Sequence, residues 1–310
     1  MKAAARAVIA TAVLAAGCRT PAPAPRAVDP EVARLARSAM LTHRRVSAAR
    51  ALPLYRAALD RAEALGDPES AGALAHNLAV CQAETGDLAA ALATARAARR
   101  DLERAGRSAA DPLALEAALL RALDDGADAA AAADRALAAA RAARRPELEA
   151  QMHALRAEMA IARADLASAE AGLTAARRVL GKGEGQPAAR ARIENVAGRL
   201  AESGGQFAVA AAAYAREAEL WGLAGLPRRV PPAFARAAGA ASRAGAPALA
   251  AERWLDAARS YAGQGDAASA RSMLDRIAVL PSASVAPQIR AEAEALAGRL
   301  SPPADPDAGD

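Results

Sequence analysis

Aromatic side chains are almost missing from this 310-residue chain: Phe, Tyr and Trp together make up 2% of it. Lysine is nearly absent as well, with Lys2 and Lys182 the two in the chain, and there are three histidines and two cysteines. Each shortage excludes something. With so few large knobs, a core has to be packed from many small side chains at close range. Without stacking aromatics or a clustered basic stripe, the chain lacks the equipment of a nucleic-acid binder. His43, His76 and His153 stand far apart, with no spacing that pairs them as metal ligands, so no zinc site and no cofactor is expected. The thin supply of Val, Ile and aromatic residues argues against strands.

What is abundant is alanine, which carries much of the 54% hydrophobic content and is the best intrinsic helix former. The composition therefore predicts an all-α chain. Its net charge of +5 is carried by arginine, with acidic residues interspersed throughout. Removing residues 1–17 takes away Lys2 and Arg6 and leaves 38 basic against 35 acidic side chains, so the basic character nearly vanishes.

The N-terminus has its own grammar. Lys2 and Arg6 precede an apolar run over 7–16, which at about 10 residues falls short of the ~20 that a spanning helix needs. It reads as an export signal. The following "LAAGC" resembles the lipobox of bacterial lipoproteins, with Ala16 and Gly17 as the small residues before Cys18 and Ala15 where that family usually has Leu or Val. The resemblance implies cleavage after residue 17, acylation of Cys18 and attachment to a membrane. Arg19 in place of Asp implies the outer membrane, with the protein facing the periplasm of a bacterial envelope. The plain alternative is a cleaved signal with an incidental cysteine. Residues 18–30 then form a proline-rich tether, which at ~3.1 Å per residue reaches some 35 Å from a membrane surface. With Cys18 acylated, Cys81 has no disulfide partner and is expected to be a buried, inert thiol.

From about residue 31 to 300 the chain alternates apolar-periodic segments of 12–18 residues with short breaks. Those breaks include "GDPES" (66–70), "TGDL" (85–88), "GKGEGQP" (181–187), "GLPRRVPP" (225–232) and "QGD" (264–266). About fourteen helices are expected. A spacing of small residues recurs: Ala79, Gly86, Leu88, Ala91, Ala95 and Ala98 match Ala157, Ala164, Leu166, Ala169, Leu173 and Ala176. The fullest copy runs through Trp254, Ala257, Ala258, Tyr261, Gly265, Ala270, Leu274, Ile277 and Pro281. These residues resemble the tetratricopeptide repeat, which implies an all-α α-solenoid of antiparallel helix pairs. Small residues at Ala79, Ala91 and Ala98 would let two helices cross closely, while neighbouring pairs supply the core that one pair cannot. Counting pairs from Gly86 makes 247–263 a second helix, whereas Trp254 and Tyr261 mark it as a first helix. The register is therefore expected to slip near "GLPRRVPP". Residues 301–310, "SPPADPDAGD", read as a disordered acidic tail.

"GKGEG" follows a helix and lacks the Lys-Ser/Thr step of a phosphate loop, and the acids Asp124, Asp125 and Asp128 fit helix capping. No catalytic constellation stands out, so a non-enzymatic role is expected. In tetratricopeptide arrays the first helix of each pair lines a groove that holds a protein or peptide ligand. Carried over by position, the groove candidates are His76, Val80, Glu84, Arg121, Asp124, Glu158, Ile161, Arg192, Asn195, Arg199, Glu202 and Arg259, with arginine suited to carboxylates. The resemblance implies a membrane-anchored binding scaffold, similar in layout to lipoproteins that serve as secretin pilotins, barrel-assembly subunits or cell-wall-hydrolase adaptors. The second reading is a soluble periplasmic spacer or oligomerisation element without lipid.

Overall fold

The computed structural model describes residues 28–123, 126–181, 183 and 185–300. Cys18, the tether up to residue 27, Asp124, Asp125 and the 301–310 tail lie outside the described residues; the tether's last residues, Asp29 and Pro30, instead cap and open α1. Fourteen α-helices and no strand occur among the described residues. They run α1 Pro30–Arg45, α2 Ala48–Ala64, α3 Pro68–Glu84, α4 Leu88–Arg104, α5 Ala110–Ala122, α6 Gly126–Ala142 and α7 Pro146–Ala162. They continue with α8 Leu166–Leu180, α9 Pro187–Ser203, α10 Phe207–Leu223, α11 Val230–Arg243, α12 Pro247–Gly263, α13 Ala267–Ala278 and α14 Pro287–Leu300.

The turns explain the regularity. At Gly66 the chain takes φ 62°, a left-handed step that a side chain would resist, and the Asp67 N–H then reaches back to the Ala62 carbonyl at 3.0 Å. Asp67 immediately caps α3 by accepting from the Ser70 N–H at 3.2 Å, with Pro68 at the first helical position. One short stretch therefore stops one helix and starts the next. Asp87, Asp165 and Asp266 cap α4, α8 and α13 in the same way. In two equivalent turns the left-handed step is taken without glycine, by Ala164 at φ 57° and Arg144 at φ 52°.

Packing follows the small residues. Ala79, Ala91 and Ala98 have no exposed surface, and α3 lies directly on α4. Cys81 is buried beside them with its thiol pKa pushed up to about 11 by burial, in keeping with an inert side chain. Where a large side chain does enter, the opposite helix makes room. A Cβ on Gly198 of α9 would sit 2.5 Å from the ring of Tyr214 on α10, so glycine admits the closest approach in that pair.

The register slip is visible in which helices touch. Alternate helices α1, α3, α5, α7 and α9 meet in succession along the array. No comparable contact joins α9 to α11; the next such contact is between α12 and α14. Helix α11 packs on both α10 and α12, preceded by a 3-10 turn at Pro227–Arg229. It is the odd helix, and it restarts the count so that α12, with Trp254, takes the first-helix position.

Candidate functional cleft

A cleft of about 600 Å³ opens along the first helices. Helix α5 lines it with Asp111, Ala114, Leu115, Ala118 and Arg121, a helical stripe on one face, and α7 adds Leu148, Gln151, Met152, Leu155 and Glu158 at the same spacing. His76 enters from α3, and Arg192 and Asn195 from α9. Beyond them the register slip brings in Glu217 and Trp221 of α10, Arg229 of the 3-10 turn and Arg236 of α11.

Aliphatic side chains form the floor, and charge is distributed in bridges between helices. Glu158 on α7 stands between Arg121 of α5 at 3.2 Å and Arg199 of α9 at 3.3 Å. Glu217, almost wholly buried, accepts from Asn195 at 3.0 Å, from the Trp221 indole at 3.0 Å and from Arg236 at 2.8 Å. A buried carboxylate demands this many partners, and here they tie α9, α10 and α11 together. Asp111, in the cleft wall, is gripped by Arg145 with two hydrogen bonds of 3.0 and 3.2 Å. Burial lowers the His76 pKa, opposed by the charge of Asp111, so the imidazole is held neutral; its Nδ1 is buried without a hydrogen-bond partner. Arg192 remains accessible to water but is surrounded by the cleft walls. That crowding and the charge of Arg229 lower its pKa, with Glu158 opposing.

His76, Arg121, Glu158, Arg192 and Asn195, expected at a groove, line this cleft. Arg199 joins it through Glu158. Glu84 is elsewhere, bound to His43 of α1 at 2.8 Å, and Arg259 pairs with Glu292 of α14, fastening α12 to it. Glu202 accepts from Tyr214 and Arg243 outside the cleft. Ile161 packs toward the α8–α9 cluster. Position along the first helices could not point to Glu217, Trp221, Arg229 or Arg236, because a second helix, a turn and the odd helix supply them. The usable signal was the basic pair inside "GLPRRVPP" at the expected slip. Among the described residues no cluster of three or more His, Cys, Asp or Glu could hold a metal ion, and no helix is long and apolar enough to cross a membrane.

No family model matches the chain, and no curated relative does. Among solved structures, a Rap protein complexed with Competence and Sporulation Factor is similar over 86% of this chain and 76% of its own, at 13% identity and a TM-score of 0.58. The fold is a tetratricopeptide-like α-solenoid. The apo form of RapI is similar over 86% of this chain and 99% of its own, at 11% identity and a TM-score of 0.52. A signal-transduction ATPase with numerous domains and a tetratricopeptide-repeat sensor, from Pyrococcus horikoshii, reaches a TM-score of 0.52 at 14% identity. That likeness covers 88% of this chain and 45% of the ATPase, so this chain spans under half of it.

Proposed function

We propose that the solenoid is a protein-interaction scaffold that holds a peptide segment of a partner in the α5–α7–α9 cleft. A lipid on Cys18 would present it from the outer membrane toward the periplasm. The observation that carries the binding reading is the cleft itself: an aliphatic floor from α5 and α7 under a rim of interhelical ion bridges, with roughly the mixture of apolar and directional polar groups that ligand sites use. The complex of the similar Rap protein with Competence and Sporulation Factor is in keeping with a ligand-holding array. The role is binding rather than catalysis: the carboxylates of the cleft are engaged in structural bridges, Glu158 with Arg121 and Arg199 and Glu217 with Arg236. The anchor rests on the "LAAGC" sequence and the proline-rich stretch that follows it.

Two measurements test the two halves separately. Ala118 lies in the α5 wall of the cleft, and Ala118→Trp would fill it. Photo-crosslinking capture from envelope fractions should lose its partners with this variant while helical content by circular dichroism is kept; unchanged capture refutes the cleft. Intact mass of the mature protein, with and without globomycin, should show an acylated Cys18. An unlipidated mature N-terminus refutes the anchor and favours the soluble spacer.

A further inference from the structure

The arginines of the cleft fall into two sets. Arg121 and Arg199 share Glu158, and Arg236 is held by Glu217. Arg192 and Arg229 differ: neither forms an ion pair with a carboxylate among the described residues. The Arg192 guanidinium donates to the side-chain carbonyl of Gln151, a neutral group on α7. Arg229 lies over the Trp221 ring, 4.9 Å from its centroid. Each cation is thus oriented by an uncharged partner, from a different element, and both line the same cleft. They are near enough for the charge of Arg229 to act on Arg192. Two aimed guanidiniums that repel each other are what an anion would relieve, and a planar, singly charged group suits their fork geometry.

The rest of the cleft selects among anions. Asp111, Glu158 and Glu217 stand along its walls and would oppose a polyanion, so a nucleic-acid backbone is disfavoured. Leu115, Leu148 and Leu155 offer aliphatic contact beside the charge. Resting on the scaffold reading above, we infer that Arg192 and Arg229 form a carboxylate-binding subsite of the cleft, taking an acidic side chain of the bound peptide.

Trp221 reports on the subsite directly. Trp254 is the other tryptophan, so a Trp254→Phe background leaves one indole, beside Arg229. The probes are two degenerate pools of apolar heptapeptides, acetylated and amidated at their ends, one with glutamate fixed at the centre and one with glutamine. The glutamate pool is expected to shift Trp221 emission at about tenfold lower concentration than the glutamine pool, as one charge-assisted pair provides. Arg192→Gln and Arg229→Gln should each erase most of that difference, added salt should shrink it, and Arg259→Gln should leave it intact. Equal response to the two pools overturns the subsite while leaving the scaffold reading to stand on the Ala118→Trp capture. Silence of Trp221 toward both pools also overturns it. A pool with central phosphoserine that outcompetes glutamate would overturn the carboxylate assignment in favour of phosphopeptides.

Discussion

Helices α3–α9 and helices α10–α12 solve the same packing problem with different materials. Between Tyr55 and Phe207 there is no Phe, Tyr or Trp, and α3–α9 close mainly with Ala and Leu, joined by a few Met, Ile and Val side chains. Their most deeply buried charge is Glu116 of α5, 2% exposed, with Arg96 at 3.1 Å, Arg99 at 3.5 Å and Arg135 at 3.6 Å around it. Six of the seven aromatics stand from Phe207 to Tyr261. There arginines cover rings: Arg229 on Trp221, Arg236 on Tyr214, Arg243 on Phe207 and Arg253 on Phe234. A regular stack of hairpins can be built from alanine crossings and aliphatic fillers without a single Phe, Tyr or Trp ring. The region that breaks the register recruits large knobs, because an odd helix must be locked by something other than the repeat.

That contrast can be broken most forcefully at Tyr214, whose ring fits against Gly198 and whose hydroxyl donates to Glu202 at 3.0 Å. Tyr214→Ala should cost about 3–5 kcal/mol and lower amide-exchange protection across α9–α11 while sparing α1–α4. Glu116→Gln is the counterpart in the alanine-built half. Its arginines are partly solvated, so about 2 kcal/mol is expected, with the loss of protection confined to α4–α6. Urea midpoints and exchange mass spectrometry read both; protection lost evenly along the whole chain would contradict a nearest-neighbour array.

Smaller is a pH effect that belongs to α3–α9 alone. Burial lowers the pKa of His76 and, with Arg141, that of His153, below the ordinary 6.5. The unfolded chain therefore takes up protons where the folded chain does not. The associated stability is complete above about pH 6.5 and is lost as pH falls through the folded-state values. The urea midpoint should decline as pH falls below about 6.5, and the His76→Gln, His153→Gln double variant should flatten that decline. Smallest, and of opposite sign, is Gly239→Ala in α11. A Cβ there meets nothing within 4 Å, so the helix should gain about 0.5–1 kcal/mol, read as a rise in Tm.

Sequence punctuation located most helices because glycine, aspartate and proline do separate jobs in each turn. It was silent between α7 and α8, where Ala164 takes the left-handed step that glycine takes elsewhere, and between α1 and α2, where Val46 and Ser47 make the joint. Nor does proline mark the start of α5, which begins at Ala110 with Pro112 inside its first turn. In the cleft, first-helix positions such as Arg121, Glu158 and Arg192 were legible because a helical face is periodic. Which arginine has a counter-ion was not: Glu158 binds Arg199 and leaves Arg192 without a carboxylate, a matter of distances between helices that no spacing along the chain encodes. Trp221 and Arg229 come from elements on the far side of the slip, outside the pattern that pointed to the others.

The alanine crossings at Ala79, Ala91 and Ala98 have a mechanical consequence. Alanine has no side-chain rotamer to change, so neighbouring helices that meet through it can yield by sliding over one another, without first repacking their contacts. An array joined chiefly from neighbour to neighbour should then behave as a soft spring along α3–α9. The ring-locked segment from Phe207 to Tyr261 would be its stiff end. A pull on a captured partner would be taken up by stretch in the first part and passed on undiminished by the second.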